Sequence, residues 1–179
     1  MTTAFLATTL IATSACGQGS SRFEETGTLT LEINGQSHTL HTYFDTEKSR
    51  DNIQITNLPT MKMISFRASE LGDDGNPAYP RFSANIGPYT GDTADELTFE
   101  WFTKDSMFFA NSNSRTNGQI GELSYDEATG ELSFSFNAPE VVEMIRTGSA
   151  NNDSNYHPPK DGRIISISGN YKGKAVSSK

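Results

Sequence analysis

Cysteine, basic residues and long apolar runs are all scarce in this chain. Its 179 residues include one cysteine, which excludes a disulfide framework and a metal site built from several cysteines. Lys and Arg number 14 against 22 Asp and Glu, so the formal net charge is −8. Nucleic-acid binding needs a basic face that neutralises phosphates, so we expect no nucleic-acid partner. The single long apolar run is too short to span a bilayer.

That apolar run, MTTAFLATTLIATSA, occupies the first residues and ends in small side chains just before Cys16. A short apolar stretch followed by small residues is typical of a secretory signal peptide, which we predict over 1–15. Thr13, Ser14 and Ala15 before the cysteine resemble the bacterial lipobox, although the lipobox favours Leu where Thr13 stands. The resemblance implies that Cys16 receives a diacylglyceryl group and becomes the new N-terminus.

The residues after Cys16 predict a tether and a place at the cell envelope. Gly, Gln and Ser dominate the start of 16–26, as in flexible linkers. The resemblance also implies an outer-membrane lipoprotein, because Gly17 rather than Asp follows the cysteine, and it leaves the membrane face open. The membrane is then a partner, reached through acyl chains that each add about 0.8 kcal/mol per buried CH₂. Residues 27–179 are expected to form one domain.

Alternation of polar and apolar residues dominates this domain and predicts β-strands. In the first such segment, Leu29, Leu31 and Ile33 share one face, and Asn34-Gly35 directly after it predicts a tight hairpin. Further alternating segments follow at short, turn-rich spacing. This pattern predicts an all-β fold, an antiparallel β-sandwich or barrel of about 8–10 strands. The sequence leaves the choice between sandwich and barrel open.

One segment, near 139–147, carries the signals of a short helix. Pro139 suits the first position of a helix, and Glu140 and Glu143 favour its positive N-terminal end. Apolar residues recur on one face between them, and Gly148 can end the helix. We therefore predict one short helix in an otherwise all-β domain.

Four aromatic residues, Trp101, Phe102, Phe108 and Phe109, are the candidate ligand-binding residues. Successive residues of a strand point to opposite faces, so part of this group fills the core and part is available at the surface. An exposed aromatic pair on a sheet stacks on sugar rings or binds a protein. The polar segment 111–117 beside the group can hydrogen-bond a glycan. A protein or glycan partner is therefore the expectation.

Motifs of enzymes, metals and cofactors are missing. The chain contains no Gly-x-Ser-x-Gly, His-Glu-x-x-His or phosphate-binding glycine loop, so the balance leans against an enzyme. His38 and His41 lie three apart in a predicted strand and point to opposite faces, so one metal ion cannot bind both. The acidic segment 73–76 has the composition of an ordinary turn. We expect no cofactor and no metal.

Together with the tether, segments 125–132 (YDEATGEL) and 165–171 (ISISGNY) resemble small uncharacterised all-β lipoproteins of Gram-negative bacteria, especially Bacteroidota. The resemblance implies placement and fold class but carries no chemistry. The first hypothesis is a lipid-anchored cell-envelope protein that acts as a binding or interaction module. The alternatives are a lipocalin-like carrier of an apolar ligand, with Phe side chains on its inner face, and an envelope enzyme acting on glycans.

Overall fold

A computed structural model describes residues 21–59, 61–90, 93–94, 96–110, 118–146, 156–157 and 162–176. These residues form antiparallel strands and no helix, which confirms the predicted all-β class. The strands are β1 (Phe23–Ile33), β2 (Gln36–Asp45), β3 (Arg50–Asp51), β4 (Ile53–Leu58), β5 (Met61–Leu71), β6 (Pro77–Thr90), β7 (Thr93–Ala94), β8 (Leu97–Phe102), β9 (Met107–Ala110), β10 (Gln119–Tyr125), β11 (Glu131–Arg146), β12 (Tyr156–His157) and β13 (Ile164–Lys174).

The strands belong to one sheet that bends back on itself into a partial ring. Their order is β3-β2-β1-β13-β11-β9-β8-β6-β5-β4, and the ends meet where β2 pairs with β5, His41 opposite Ser69. Asn52, between β3 and β4, joins the same two strands. Its N–H donates to the carbonyl of Tyr43 (3.1 Å), and its carbonyl accepts from the N–H of Arg67 (2.9 Å). This arrangement fits the predicted sandwich or barrel.

A cluster of aromatic rings fills the inner face of the ring. Every second residue of a strand points inward, and the apolar alternation of the sequence follows that period. Neighbouring rings in the cluster have centroids 4.6–6.5 Å apart, in the edge-on and offset arrangements that aromatic pairs favour. The six residues are buried: Phe66, Phe82, Phe99, Phe134, Phe136 and Tyr171.

The helix predicted near 139–147 is wrong, because β11 runs on through this segment as far as the structure describes it. A bulge between Ala138 and Val141 takes up Pro139, which cannot donate to a ladder of strands. Pairing with β13 resumes at Val141, and β9 pairs on the other side from Val142 onward. Backbone bonds from two neighbouring strands therefore outweigh the local signals of helix start and end.

An ion pair explains how Glu143 fits inside this sheet. The residue is 6% exposed, and its carboxylate accepts from Arg163 Nε (2.8 Å) and from the Ser106 hydroxyl (2.8 Å). Arg163 also lies over the Phe108 ring, 5.4 Å from its centroid. The hydrogen bonds from Arg163, more than any other contact, hold the pKa of Glu143 at about 2. Glu143 thus links β11 to neighbouring segments of the sheet instead of starting a helix.

The sheet begins earlier than the composition of the chain suggests. Residues 23–26, predicted as the end of the tether, lie within β1. Just before them, Arg22 donates from Nε and Nη2 to the carboxylate of Asp45, at 3.1 and 2.7 Å. These bonds are the main reason that the pKa of Asp45 is held at about 2. The chain therefore enters the fold at a defined point beside the end of β2.

Candidate functional site

The four aromatic residues predicted to contact a ligand divide between the two faces of β8 and β9. Trp101 and Phe108 lie opposite each other and point into the core, 3% and 4% exposed. Trp101 also packs against the ring of His38, with centroids 5.7 Å apart. Phe102 and Phe109 point outward and are half-buried. Only these last two are available to a ligand on the outer surface.

Phe102 borders a groove of about 400 Å³ on the outer face of β5, β6 and β8. The register of these strands places the outward-facing residues of the groove in two adjacent rows. Ser69, Arg81 and Phe102 form one row, and Arg67, Ser83 and Glu100 form the other. Since alternate residues of a strand share a face, both rows point to the same side of the sheet. The groove is therefore a product of strand pairing.

Ser69 places an unsatisfied polar group at the floor of this groove. The residue lines the groove but is only 4% exposed. Its hydroxyl has no hydrogen-bond partner among the residues that the structure describes. Buried polar groups are nearly always hydrogen-bonded, and one without a partner costs about 1–3 kcal/mol. The oxygen has less than 1 Å² of accessible surface, so a ligand reaches it only after the lining shifts slightly. A ligand that then supplies the missing partner recovers this free energy on binding.

Arg81 is already oriented at the edge of the groove. Its Nη2 donates to the carbonyl of Pro77 (2.6 Å) and its Nε to the carbonyl of Ala78 (3.4 Å). The guanidinium lies over the Tyr79 ring, 4.7 Å from the centroid. Such contacts fix the plane of the guanidinium before a ligand arrives, so little conformational freedom is lost on binding.

Glu100 is the single carboxylate among the described residues that line the groove. Burial raises its pKa, and attraction to Arg67 opposes that rise. Within the described chain, the Arg67 guanidinium takes part in no ion pair. The lining thus carries two guanidinium groups against one carboxylate, on a protein whose formal net charge is −8.

A smaller recess of about 150 Å³ adjoins the groove and shares Asn52, Arg67 and Ser83 with it. Ser65 and Asn85 extend the polar lining there, and the Ser65 hydroxyl donates to Asn85 Oδ1 at 2.9 Å. Amide and hydroxyl groups both donate and accept hydrogen bonds. The two recesses together suit a ligand that is itself rich in hydroxyl groups.

In a recess of about 480 Å³ beside β4, both carboxylates already have partners within the described chain. The Asp51 carboxylate accepts from the N–H of Ile53 (3.0 Å) and from the N–H of Val176. Glu127 pairs with Lys62. No group of three or more His, Cys, Asp or Glu side chains that could hold a metal ion occurs within the described residues.

Arg67, Ser69, Arg81 and Glu100 were not singled out by their sequence pattern. Alternation along β5 indicates that Arg67 and Ser69 point away from the core, and this was the only signal available. Which strands lie beside β5 does not follow from any local pattern. Cys16 and the segments 111–117, 147–155 and 158–161 lie outside the described residues, so lipidation and a glycan contact by 111–117 stay predictions.

The fold and the groove define an all-β protein with a polar groove, lined in part by the aromatic ring of Phe102, on the outside of a partial ring of strands. Comparison of the chain with protein-family models, with curated proteins and with solved structures finds no match. The described part of the chain contains no helix with the length and apolarity needed to cross a membrane.

Proposed function

We propose that this protein is a lipid-anchored cell-envelope binding module that takes a saccharide in the groove of β5, β6 and β8. The observation that carries the proposal is the buried hydroxyl of Ser69, a residue of the groove lining, which has no hydrogen-bond partner in the described chain. A saccharide presents hydroxyls that donate and accept hydrogen bonds. It also presents C–H faces that pack on an aromatic ring, which Phe102 supplies at the groove edge.

The lipid anchor is the part of the proposal that comes from the sequence. Cys16 follows small residues that resemble a lipobox, and a short uncharged segment separates it from Arg22. Because Arg22 is bonded to Asp45, this segment joins the anchor to a defined point of the fold. Anchoring at the outer membrane would keep the groove close to the glycans of the envelope.

Two alternatives have less support. A lipocalin-like carrier needs interior space for its ligand, and the rings of Phe66, Phe134 and Tyr171 contact one another there. A glycan hydrolase of the common type needs two carboxyl groups flanking the bond that is cut. The described lining of the groove contains one, Glu100. Binding without bond cleavage therefore accounts for the groove more simply.

Metabolic labelling tests the anchor. The full chain is expressed in a Gram-negative host that is fed a clickable fatty acid. We expect label on the wild type and complete loss of label in Cys16→Ser, because the thiol is the group that the lipid modifies. Ser20→Ala, a neighbouring change that leaves the thiol intact, is expected to keep the label. Label that persists in Cys16→Ser would contradict the anchoring hypothesis.

Ser69→Ala tests the groove, because removing a hydroxyl that bonds only the ligand should stabilise the free protein and weaken ligand binding. The variant is made in the full chain carrying Cys16→Ser, and saccharides are screened on a glycan array and then titrated. We expect Ser69→Ala to raise the stability of the free protein by about 1 kcal/mol, since an unsatisfied buried group is removed. We expect the same change to weaken saccharide binding about tenfold.

Phe102→Ala is expected to weaken binding by a similar factor, because stacking on the sugar is lost. Phe23→Ala removes a half-buried ring from β1 and is the matched control, expected to leave the affinity unchanged. A Ser69→Ala variant with altered stability and unaltered affinity would assign the hydroxyl a structural role only. Absence of binding to every saccharide on the array would contradict the proposed function.

A further inference from the structure

We infer that the groove selects an acidic saccharide and seats its anionic group beside Arg67 and Ser69. The inference rests on the proposed saccharide function and names the class of ligand. It depends on three features of the lining: the balance of charge, the difference between the hydrogen bonds that the two arginines already form, and the position of Glu100.

The balance of charge in the lining favours an anion. Arg67 and Arg81 outnumber Glu100, although the chain as a whole is acidic. A local positive surface on an acidic protein attracts a negative ligand to that place and away from the rest. Guanidinium groups bind carboxylates and sulfates through parallel, charge-assisted hydrogen bonds, so the two arginines suit an acidic ligand better than a neutral one.

The two arginines differ in what they can still offer. Arg81 already donates hydrogen bonds from Nε to the carbonyl of Ala78 and from Nη2 to the carbonyl of Pro77. Neither arginine forms an ion pair within the described chain, but the structure describes no hydrogen bond of the Arg67 guanidinium, so Arg67 has more N–H donors left for a ligand. Ser69 stands two residues further along the same face of β5, a separation of about 7 Å. One sugar unit can therefore place its anionic group by Arg67 and meet the Ser69 hydroxyl.

Glu100 explains why the site discriminates. Its neighbours across the strands are Ser83 on β6 and Phe109 on β9, which carry no charge, so Arg67 is the cation whose attraction it feels. Burial already disfavours the charged form of Glu100. An acidic ligand replaces Glu100 as the counter-ion of Arg67. Glu100→Gln, which removes the competing charge, is therefore expected to strengthen acidic ligands and to leave neutral ones nearly unchanged.

Calorimetric titration of the full chain carrying Cys16→Ser tests the inference with a matched pair of probes. One probe is an oligogalacturonate, and the other is the same oligosaccharide after its carboxyl groups are reduced to alcohols. We expect the acidic probe to bind at least about tenfold more tightly, as a charge-assisted pair with Arg67 adds to the shared hydroxyl contacts. Arg67→Gln is expected to abolish this preference and to keep the weaker binding of the reduced probe.

Lys172→Gln makes the same change of net charge on β13, at an exposed position outside the groove, and is expected to keep the preference. Equal binding of the two probes, or loss of the preference in Lys172→Gln as large as in Arg67→Gln, would overturn the inference while saccharide binding stands. Binding of other saccharides on the array but of neither probe would overturn it in the same way. Failure of every saccharide to bind would overturn the proposed function and this inference with it.

Discussion

Gly173→Ala is expected to destabilise the fold by about 3 kcal/mol or more. A Cβ atom at this position would lie 2.5 Å from the Cα of Gly27 and 2.7 Å from the carbonyl oxygen of Thr26, and closer still to the Tyr171 hydroxyl. Gly27 is the cross-strand partner of Gly173, so relief requires β1 and β13 to separate. Overpacking of a filled core typically costs about 1–3 kcal/mol, and more where backbone must move.

The Tyr171 side chain, which lies next to this glycine pair, cannot move without a large cost in free energy either. The hydroxyl of Tyr171 hydrogen-bonds the Thr42 hydroxyl at 3.0 Å, and Thr42 bonds the hydroxyl of Thr26 at 2.9 Å. Burial raises the pKa of Tyr171, which therefore stays neutral over the usual pH range. Its ring contacts Phe66 at a centroid distance of 4.6 Å. Displacing Tyr171 would break the hydroxyl bonds and disturb the aromatic core together.

Urea unfolding and thermal melting measure this effect. For a chain of this size about 3 kcal/mol corresponds to a fall in Tm of roughly 10 °C. Gly121→Ala is the matched control, because the one close obstacle to its Cβ among the described residues is the Ser135 hydroxyl. That hydroxyl can rotate at the loss of a single exposed hydrogen bond, from the N–H of Glu122 (3.0 Å). We expect that control to lose under about 1 kcal/mol. Equal losses in the two variants would show that the Gly27–Gly173 approach is not the constraint we describe.

Phe66→Ala is expected to cost about 3–5 kcal/mol, as for other fully buried phenylalanines. Phe66 is 0% exposed and contacts three rings of the core: those of Phe82, Phe134 and Tyr171, with centroids 6.2, 5.2 and 4.6 Å away. Its removal leaves a cavity at the centre of the ring of strands. Part of the cost is lost apolar burial, and the rest is the cavity that rigid neighbours cannot fill.

Urea unfolding of Phe66→Ala beside Phe23→Ala checks this expectation. Phe23 is half-buried at the start of β1, so its truncation is expected to cost about 1 kcal/mol. Phe66→Leu is measured as well, since it keeps part of the volume and folds even where the alanine variant does not. Similar free energies for Phe66→Ala and Phe23→Ala would mean that the interior is loosely packed, and would favour the carrier hypothesis.

Local patterns predicted the features that depend on local chemistry. Asn34 and Gly35 adopt positive φ values of 50° and 78°, and Ile33 pairs with Gln36, as expected for a tight hairpin at Asn-Gly. Alternation predicted Leu29 and Leu31 as buried, and both are 0% exposed. These predictions hold because a two-residue period and a turn need only the residues within them.

The local sequence pattern gave the wrong secondary structure near 139–147, where backbone hydrogen bonds from neighbouring strands decide the conformation. Pro139, Glu140 and Glu143 read as the start of a helix, yet β13 and β9 hold this segment in β11. Glu143 is tolerated inside the sheet because Arg163 pairs with it. Neither partner can be inferred from the segment itself. The short-range signals were correctly identified, but they were weaker than backbone pairing on both edges of the strand.

By itself, then, the sequence determined the all-β class, the inward face of β1 and the hairpin at Asn34-Gly35, since each follows from residues close together in the chain. Only the tertiary structure decided that β2 meets β5, that Pro139 lies in a bulge, and that Arg67, Ser69 and Glu100 line one groove. Those outcomes depend on which strands pair. Strand pairing is set by contacts between segments far apart in the sequence.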